Sequence, residues 1–159
     1  MTEAPLRAGR NDEVRACVDL WTRACAARDG TAVAGVAERA RAKFDRRVAW
    51  VVAGAPGELQ GFALATAPGS GASIDPPEAA VLGLLAVDPR AQANGLGRRL
   101  LYEIDGVLSE AGYRQAVLHV LTENLAAVRL YESAGWRPVG PAFEHSLLRR
   151  PFQSYVLDL

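Results

Sequence analysis

The stretch AAVLGLLAV (79–87) running into DPRAQANGLGRRLL (88–101) constrains the chain most. The first part is continuously apolar, as a strand covered on both faces is. Turn formers follow, and the predicted helix over 95–111 carries Leu96, Leu100, Ile104, Val107 and Ala111 along one face. A strand, a glycine turn and a helix make a place to hold an anion. The first helical turn has unpaired N–H groups and the positive end of the dipole, and glycines let a phosphate approach the backbone. Arg90, Arg98 and Arg99 add positive charge nearby, although each alone also reads as a solvated surface arginine. The glycines taken alone read more readily as a tight strand-to-helix turn without a ligand.

Two common anion motifs fail on inspection. A phosphate loop needs Gly-Lys-Ser/Thr, and here Arg98-Arg99 follows Gly97. A dinucleotide fingerprint needs a third glycine, which Gly95-Leu96-Gly97-Arg98-Arg99-Leu100 lacks.

Around this centre the pattern predicts an α/β chain with a mixed sheet. PLRAG (5–9) reads as an opening strand, and Asn11 or Asp12 as the cap of a helix over 12–27. A second helix covers 32–44. RRVAWVVAG (46–54) and ELQGFALATA (58–67) read as a hairpin, and 68–78 as a loop by composition. After the central strand and helix come a strand at 115–121 and a helix from Asn124 to Ala134, stopped by Gly135. Strands at 136–140 and 154–159 close the order: strand, two helices, three strands, helix, strand, helix, two strands. At 159 residues this is expected to be one domain, 1–159.

Composition narrows the function classes. Eighteen basic residues balance eighteen acidic ones, which argues against a general nucleic-acid or membrane-surface binder. No apolar run reaches membrane-spanning length, and MTEAPLRAGRNDE lacks a signal-peptide core, so the expected location is the cytoplasm. Cys17 and Cys25 fall eight residues apart on one predicted helix, about 12 Å, too far for a disulfide. No Cys/His spacing suggests a metal.

Gln92-Ala93-Asn94-Gly95-Leu96-Gly97 matches Q/R-x-x-G-x-G/A, and the run to Arg98 resembles the pyrophosphate loop of the GNAT superfamily of acyl-CoA N-acetyltransferases. A second signature of that superfamily follows in order: Leu118-His119-Val120, Asn124, Ala127, Leu130-Tyr131 and Gly135-Trp136. The predicted element order also resembles the family fold. The resemblance implies acetyl-CoA as cosubstrate and direct transfer to a primary amine, without a covalent enzyme intermediate. It also implies backbone pairing of the pantetheine arm and thioester along Leu85-Ala86-Val87, and cofactor contacts from Asn124 and Ala127.

Such transfer needs a neutral amine, hence a base, an oxyanion donor and a proton for the departing thiolate. The resemblance assigns the last role to Tyr131, which otherwise reads as an amphipathic core tyrosine. Asn124 also reads as a helix N-cap. His119 is the first candidate base. It points away from the face of Leu118 and Val120 and takes the place of a base glutamate in the ribosomal-protein alanine N-acetyltransferases that this segment resembles. It reads equally as a sheet-face histidine. Glu78 is the second candidate, or a loop carboxylate.

The acceptor is expected to be a small-molecule amine or a peptide α-amine. A polycation is less expected, since Asp75, Glu78 and Glu144 are few and scattered. Trp21, Phe44, Phe143, His145, Arg149 and Arg150 line the acceptor groove or belong to core and surface. A monomer or homodimer is expected. The competing reading is a non-catalytic acyl-CoA sensor on the same fold.

Overall fold

The computed structural model describes residues 3–92 and 94–159. Seven strands form one sheet: β1 (Leu6–Ala8), β2 (Arg47–Ala53), β3 (Gly61–Thr66), β4 (Ala80–Val87), β5 (Gln115–Leu121), β6 (Arg137–Glu144) and β7 (Pro151–Asp158). Four helices accompany them: α1 (Val14–Asp29), α2 (Val36–Phe44), α3 (Leu96–Glu110) and α4 (Leu125–Ser133). The spatial order is β1-β2-β3-β4-β5-β7-β6. Every pairing is antiparallel except β4 with β5.

The alternation of side chains divides the apolar residues between two faces. On one face α1 and α2 bury Cys17, Val18, Leu20, Ala40 and Phe44 against Trp50, Val52, Phe62, Leu64, Leu84 and Ala86. On the other, α3 buries Leu96, Leu100, Leu101, Ile104 and Leu108 against Val51, Ala63, Ala65 and Leu82, and Trp136 and Tyr155 join that core. Covering β4 on both sides explains its unbroken apolar sequence. Cys17 and Cys25 are free and buried, and burial pushes the Cys17 thiol up to about 12.

Three of the differences from the sequence-based boundaries have a local cause in the structure. A 3-10 turn over Asn11–Glu13 precedes α1. Glu13, rather than Asn11 or Asp12, secures it, accepting from the Arg10 N–H at 3.1 Å and pairing with Arg7 at 2.7 Å. Helix α2 starts four residues late because Gly35 takes a left-handed φ of 92° at its N-cap. The last two strands are longer than 136–140 and 154–159, and meet in a hairpin through the 140–153 segment. Pro138, Gly140 and Pro141 hide that strand in the sequence. An edge strand tolerates them, and a register shift between Val139 and Phe143 accommodates them. Gln153 Nε2 donates to the Val139 and Gly140 carbonyls there, both at 3.0 Å.

Candidate active site

Strands β4 and β5 pair only at Ala80↔Ala116 and Val81↔Val117. Beyond that point they splay, so β4 from Leu82 to Val87 has no strand partner along the edge that faces β5. A cleft of about 1200 Å³ opens there. Leu85, Ala86 and Val87 line it at one wall, and Asn124, Ala127 and Tyr131 at another. The gap is a product of topology: the parallel pair is the place where the chain crosses over through α3.

At one end of the cleft Gly95 caps α3 with φ 74°, in the left-handed region. A Cβ there would meet nothing within 4 Å, so the backbone conformation, not space, demands glycine. Gln92, Gly95, Leu96, Gly97 and Arg98 line the cleft; Asn94 is exposed beside them, and Ala93 lies outside the described residues. Gln92 Nε2 reaches the Val87 carbonyl at 3.5 Å. The three arginines separate. Arg98 lines the cleft and donates to Ser133 Oγ on α4. Arg90 is held by Asp88, with contacts of 3.2 and 3.0 Å, and hydrogen bonds from Arg90 hold the Asp88 carboxyl down at about 2. Arg99 turns away, donating to the Ala4 carbonyl at 2.9 Å.

Asn124 is the N-cap of α4, its side chain accepting from the Ala127 N–H at 3.3 Å. Two turns on, Tyr131 packs edge-on against Trp136 with ring centroids 6.2 Å apart. Burial raises its phenol above the ordinary value.

His119 projects from β5 into the same cleft, on the α1–α2 side of the sheet. Its Nε2 lies 2.7 Å from Asp75 Oδ1, and its ring meets Phe143 edge-on at 5.6 Å. Glu78 is exposed before β4 and is not among the residues lining the cleft.

Of the groove residues expected from sequence, Trp21, Phe143 and His145 line the cleft. Phe44 is core, 1% exposed. Arg149 pairs with Glu144 at 2.9 Å on the surface. Arg150 ties the β6–β7 turn to Asp29 at 2.9 Å and to Glu123 at 3.2 Å. His145 Nδ1 accepts from the Leu147 and Leu148 N–H groups at 3.1 and 3.0 Å. Burial, then the charges of Arg39 and Lys43, pull its imidazole down to about 4.

Two side chains escaped the sequence reading. Asp75 looked like a rim acid, and its partner lies 44 positions away. Lys43 sat in an Arg-rich helix with no motif; its Nζ donates to the Gly83 carbonyl at 3.2 Å, in the cleft wall. Burial lowers its ammonium below the ordinary value.

The comparisons agree with this geometry. The model of the acetyltransferase (GNAT) family matches residues 10–136. The mycothiol acetyltransferase of Beutenbergia cavernae is 45% identical over 56 residues, 35% of this chain and 19% of that protein. The [ribosomal protein bS18]-alanine N-acetyltransferase of Escherichia coli K12 is 44% identical over 52 residues, 33% of this chain and 35% of that protein. The chain thus spans about a fifth to a third of these relatives in sequence. The crystal structure of the Escherichia coli ribosomal-protein-S18-alanine N-acetyltransferase superposes with a TM-score of 0.72 at 23% identity, over 97% of this chain and 92% of that one. The yncA structure from Salmonella typhimurium with acetyl-CoA does so at 0.73 and 19% identity, over 99% and 94%. These two likenesses are of fold. Since the family model takes in the splayed strands, the glycine-capped helix and Tyr131 together, the chain belongs to the acetyltransferase (GNAT) family.

Proposed function

We propose that the chain transfers the acetyl group of acetyl-CoA directly to a primary amine, on a small molecule or a peptide N-terminus. The observation that carries this reading is that one cleft joins the glycine-capped start of α3, the free edge of β4, and the side chains of Tyr131 and His119. The capped helix start offers N–H groups and a positive dipole end to a pyrophosphate. The free edge of β4 offers backbone donors and acceptors to an extended, amide-bearing arm and to the thioester carbonyl. The volume exceeds the 300–1,000 Å³ or so of ordinary small-ligand pockets, which suits two substrates held together.

The residues then divide the proton work. His119 takes a proton from the acceptor ammonium, freeing the nitrogen lone pair. The C–N bond forms, a β4 N–H donates to the carbonyl oxygen as charge develops, and the C–S bond breaks. Tyr131, kept protonated by its burial, gives its proton to the departing sulfur, and the second proton of the new amide nitrogen returns to the Tyr131 oxygen, leaving a neutral amide. Among the described residues the charged lining of the cleft is Arg28, Arg39, Lys43, Arg46 and Arg98 against Glu144. That balance disfavours a polycationic acceptor.

The cosubstrate half of the proposal is tested by calorimetry on Gly95→Asp. A carboxylate in the loop, on a residue strained at positive φ, is expected to abolish acetyl-CoA binding while circular dichroism stays native. A folded variant binding with wild-type affinity would contradict the pyrophosphate assignment.

A further inference from the structure

We propose that Asp75 is a positioning residue for His119, so that the proton acceptor is an Asp–His pair working through His119 Nδ1. The inference rests on the transferase reading above.

The loop between β3 and β4 folds back on itself to deliver this carboxylate. Its turns are closed by Ser70 N–H to the Ala67 carbonyl at 3.2 Å and Asp75 N–H to the Ala72 carbonyl at 3.0 Å. Asp75 Oδ2 accepts from the Ala72 N–H at 2.8 Å, which leaves Oδ1 aimed at His119. Gly71 makes room, since a Cβ there would stand 2.3 Å from Asp75 Oδ2 and 3.1 Å from His119 Cε1. The Asp75 side chain is 4% exposed and the imidazole 18%. The carboxylate therefore sits behind the ring, while the ring faces the cleft.

A carboxylate only accepts hydrogen bonds, so the proton of a neutral His119 is placed on Nε2. The lone pair is then on Nδ1, which has no hydrogen-bond partner among the described residues. When Nδ1 takes the proton of the acceptor ammonium, the imidazolium forms beside a fixed negative charge that has little water to screen it. The contact with Phe143 keeps the ring from turning.

A purely structural Asp75 would serve only to close the loop through Ala72. Asp75→Asn separates the two roles. Asparagine keeps an oxygen for the Ala72 N–H, but its amide donates to Nε2 and moves the ring proton to Nδ1, where the lone pair is needed. The experiment has two readouts. The first is the ¹⁵N spectrum of imidazole-labelled protein at about pH 8, where an ordinary histidine is neutral, with the His119 signals identified by their loss in His119→Ala. Wild type is expected to show the Nε2–H tautomer, and Asp75→Asn the Nδ1–H tautomer. The second is steady-state kinetics. Asp75→Asn is expected to lower kcat roughly 10²-fold with the KM for acetyl-CoA unchanged. In a His119→Ala background the same substitution is expected to cost less than about twofold, because the two residues act as a unit.

An Nδ1–H tautomer in wild type, or a full multiplicative loss in the double variant, would overturn the proposal. If wild type turned over no amine yet showed the Nε2–H tautomer, the transferase reading would fall, and the positioning role with it.

Discussion

Tyr131 shows how one residue is specified by several constraints at once. It lies two turns after the Asn124 cap, on a helix with no fully buried residue. Its ring packs beside Trp136, and its backbone carbonyl accepts from the Trp136 N–H at 3.0 Å. Removing the hydroxyl alone should leave that packing intact. Tyr131→Phe is expected to bind acetyl-CoA as wild type does and to lose turnover by about 10²–10⁴-fold, the usual range for a missing general acid. Calorimetry and steady-state rates check the two halves, and unchanged turnover would remove Tyr131 from the mechanism. The motif behind this proposed role was legible because its residues are neighbours in sequence. The contact between Asp75 and His119 was not, because nothing in local sequence links a loop aspartate to a strand histidine 44 positions away. Arg98 and Arg99 make the same point at one residue's distance. They are adjacent and alike in sequence, yet the helix turns one to the cleft and the other to the N-terminal segment.

At the scale of elements, periodicity read well wherever packing was two-sided or strictly amphipathic. Strand β5 has the expected bounds, and α3 differs by one residue at each end. The misses fall where side chains rather than periodicity set the boundary, as with Glu13 before α1, or where Pro and Gly disguise an edge strand, as in β6. Helix α3 also carries a cost that its pattern does not announce. Asp105 lies between Leu101 and Leu108 on the helix, and its Oδ1 is buried without a hydrogen-bond partner among the described residues. Desolvation pushes its carboxyl up to about 7. A folded-state value above the unfolded one, ordinarily about 3.9, means that the unfolded chain loses this proton first. Asp105 therefore weakens the fold as pH rises from about 4 through about 7. Asp105→Asn is expected to raise the Tm at pH 8 and to leave it nearly unchanged at pH 4. Thermal unfolding at both pH values checks the sign; a lower Tm for the variant at pH 8 would show that the ionised carboxylate has a partner.

The whole molecule is a sheet that holds together at its flanks and parts in the middle. Hydrogen bonding is continuous from β1 through β4 and from β5 through β6, and the two halves share only two register pairs. The helices split likewise, with α1 and α2 on one face and α3 on the other. The α3 side supplies the capped helix start, and the α1–α2 side supplies the cationic wall. The hairpin of β6 and β7 is tied to that wall through Arg150–Asp29 and Arg39–Ser146, the latter at 3.1 Å. Among the described residues no helix is long and apolar enough to cross a membrane. The halves and their order were legible in the sequence pattern, and the family motif marked the glycine-capped start of α3 that the proposal gives to the cosubstrate. The rest of the cleft, where the proposal seats the acceptor, was dark because it is built from loops and helix faces brought together only by the fold.

The most direct measurement is release of CoA thiol from acetyl-CoA by the wild-type chain, against separate pools of small amines, free amino acids and short peptides with free N-termini. The account predicts release that depends on one of these pools and saturates with it. Tight binding of acetyl-CoA with no release from any pool would contradict the transferase and leave a protein that only holds the thioester.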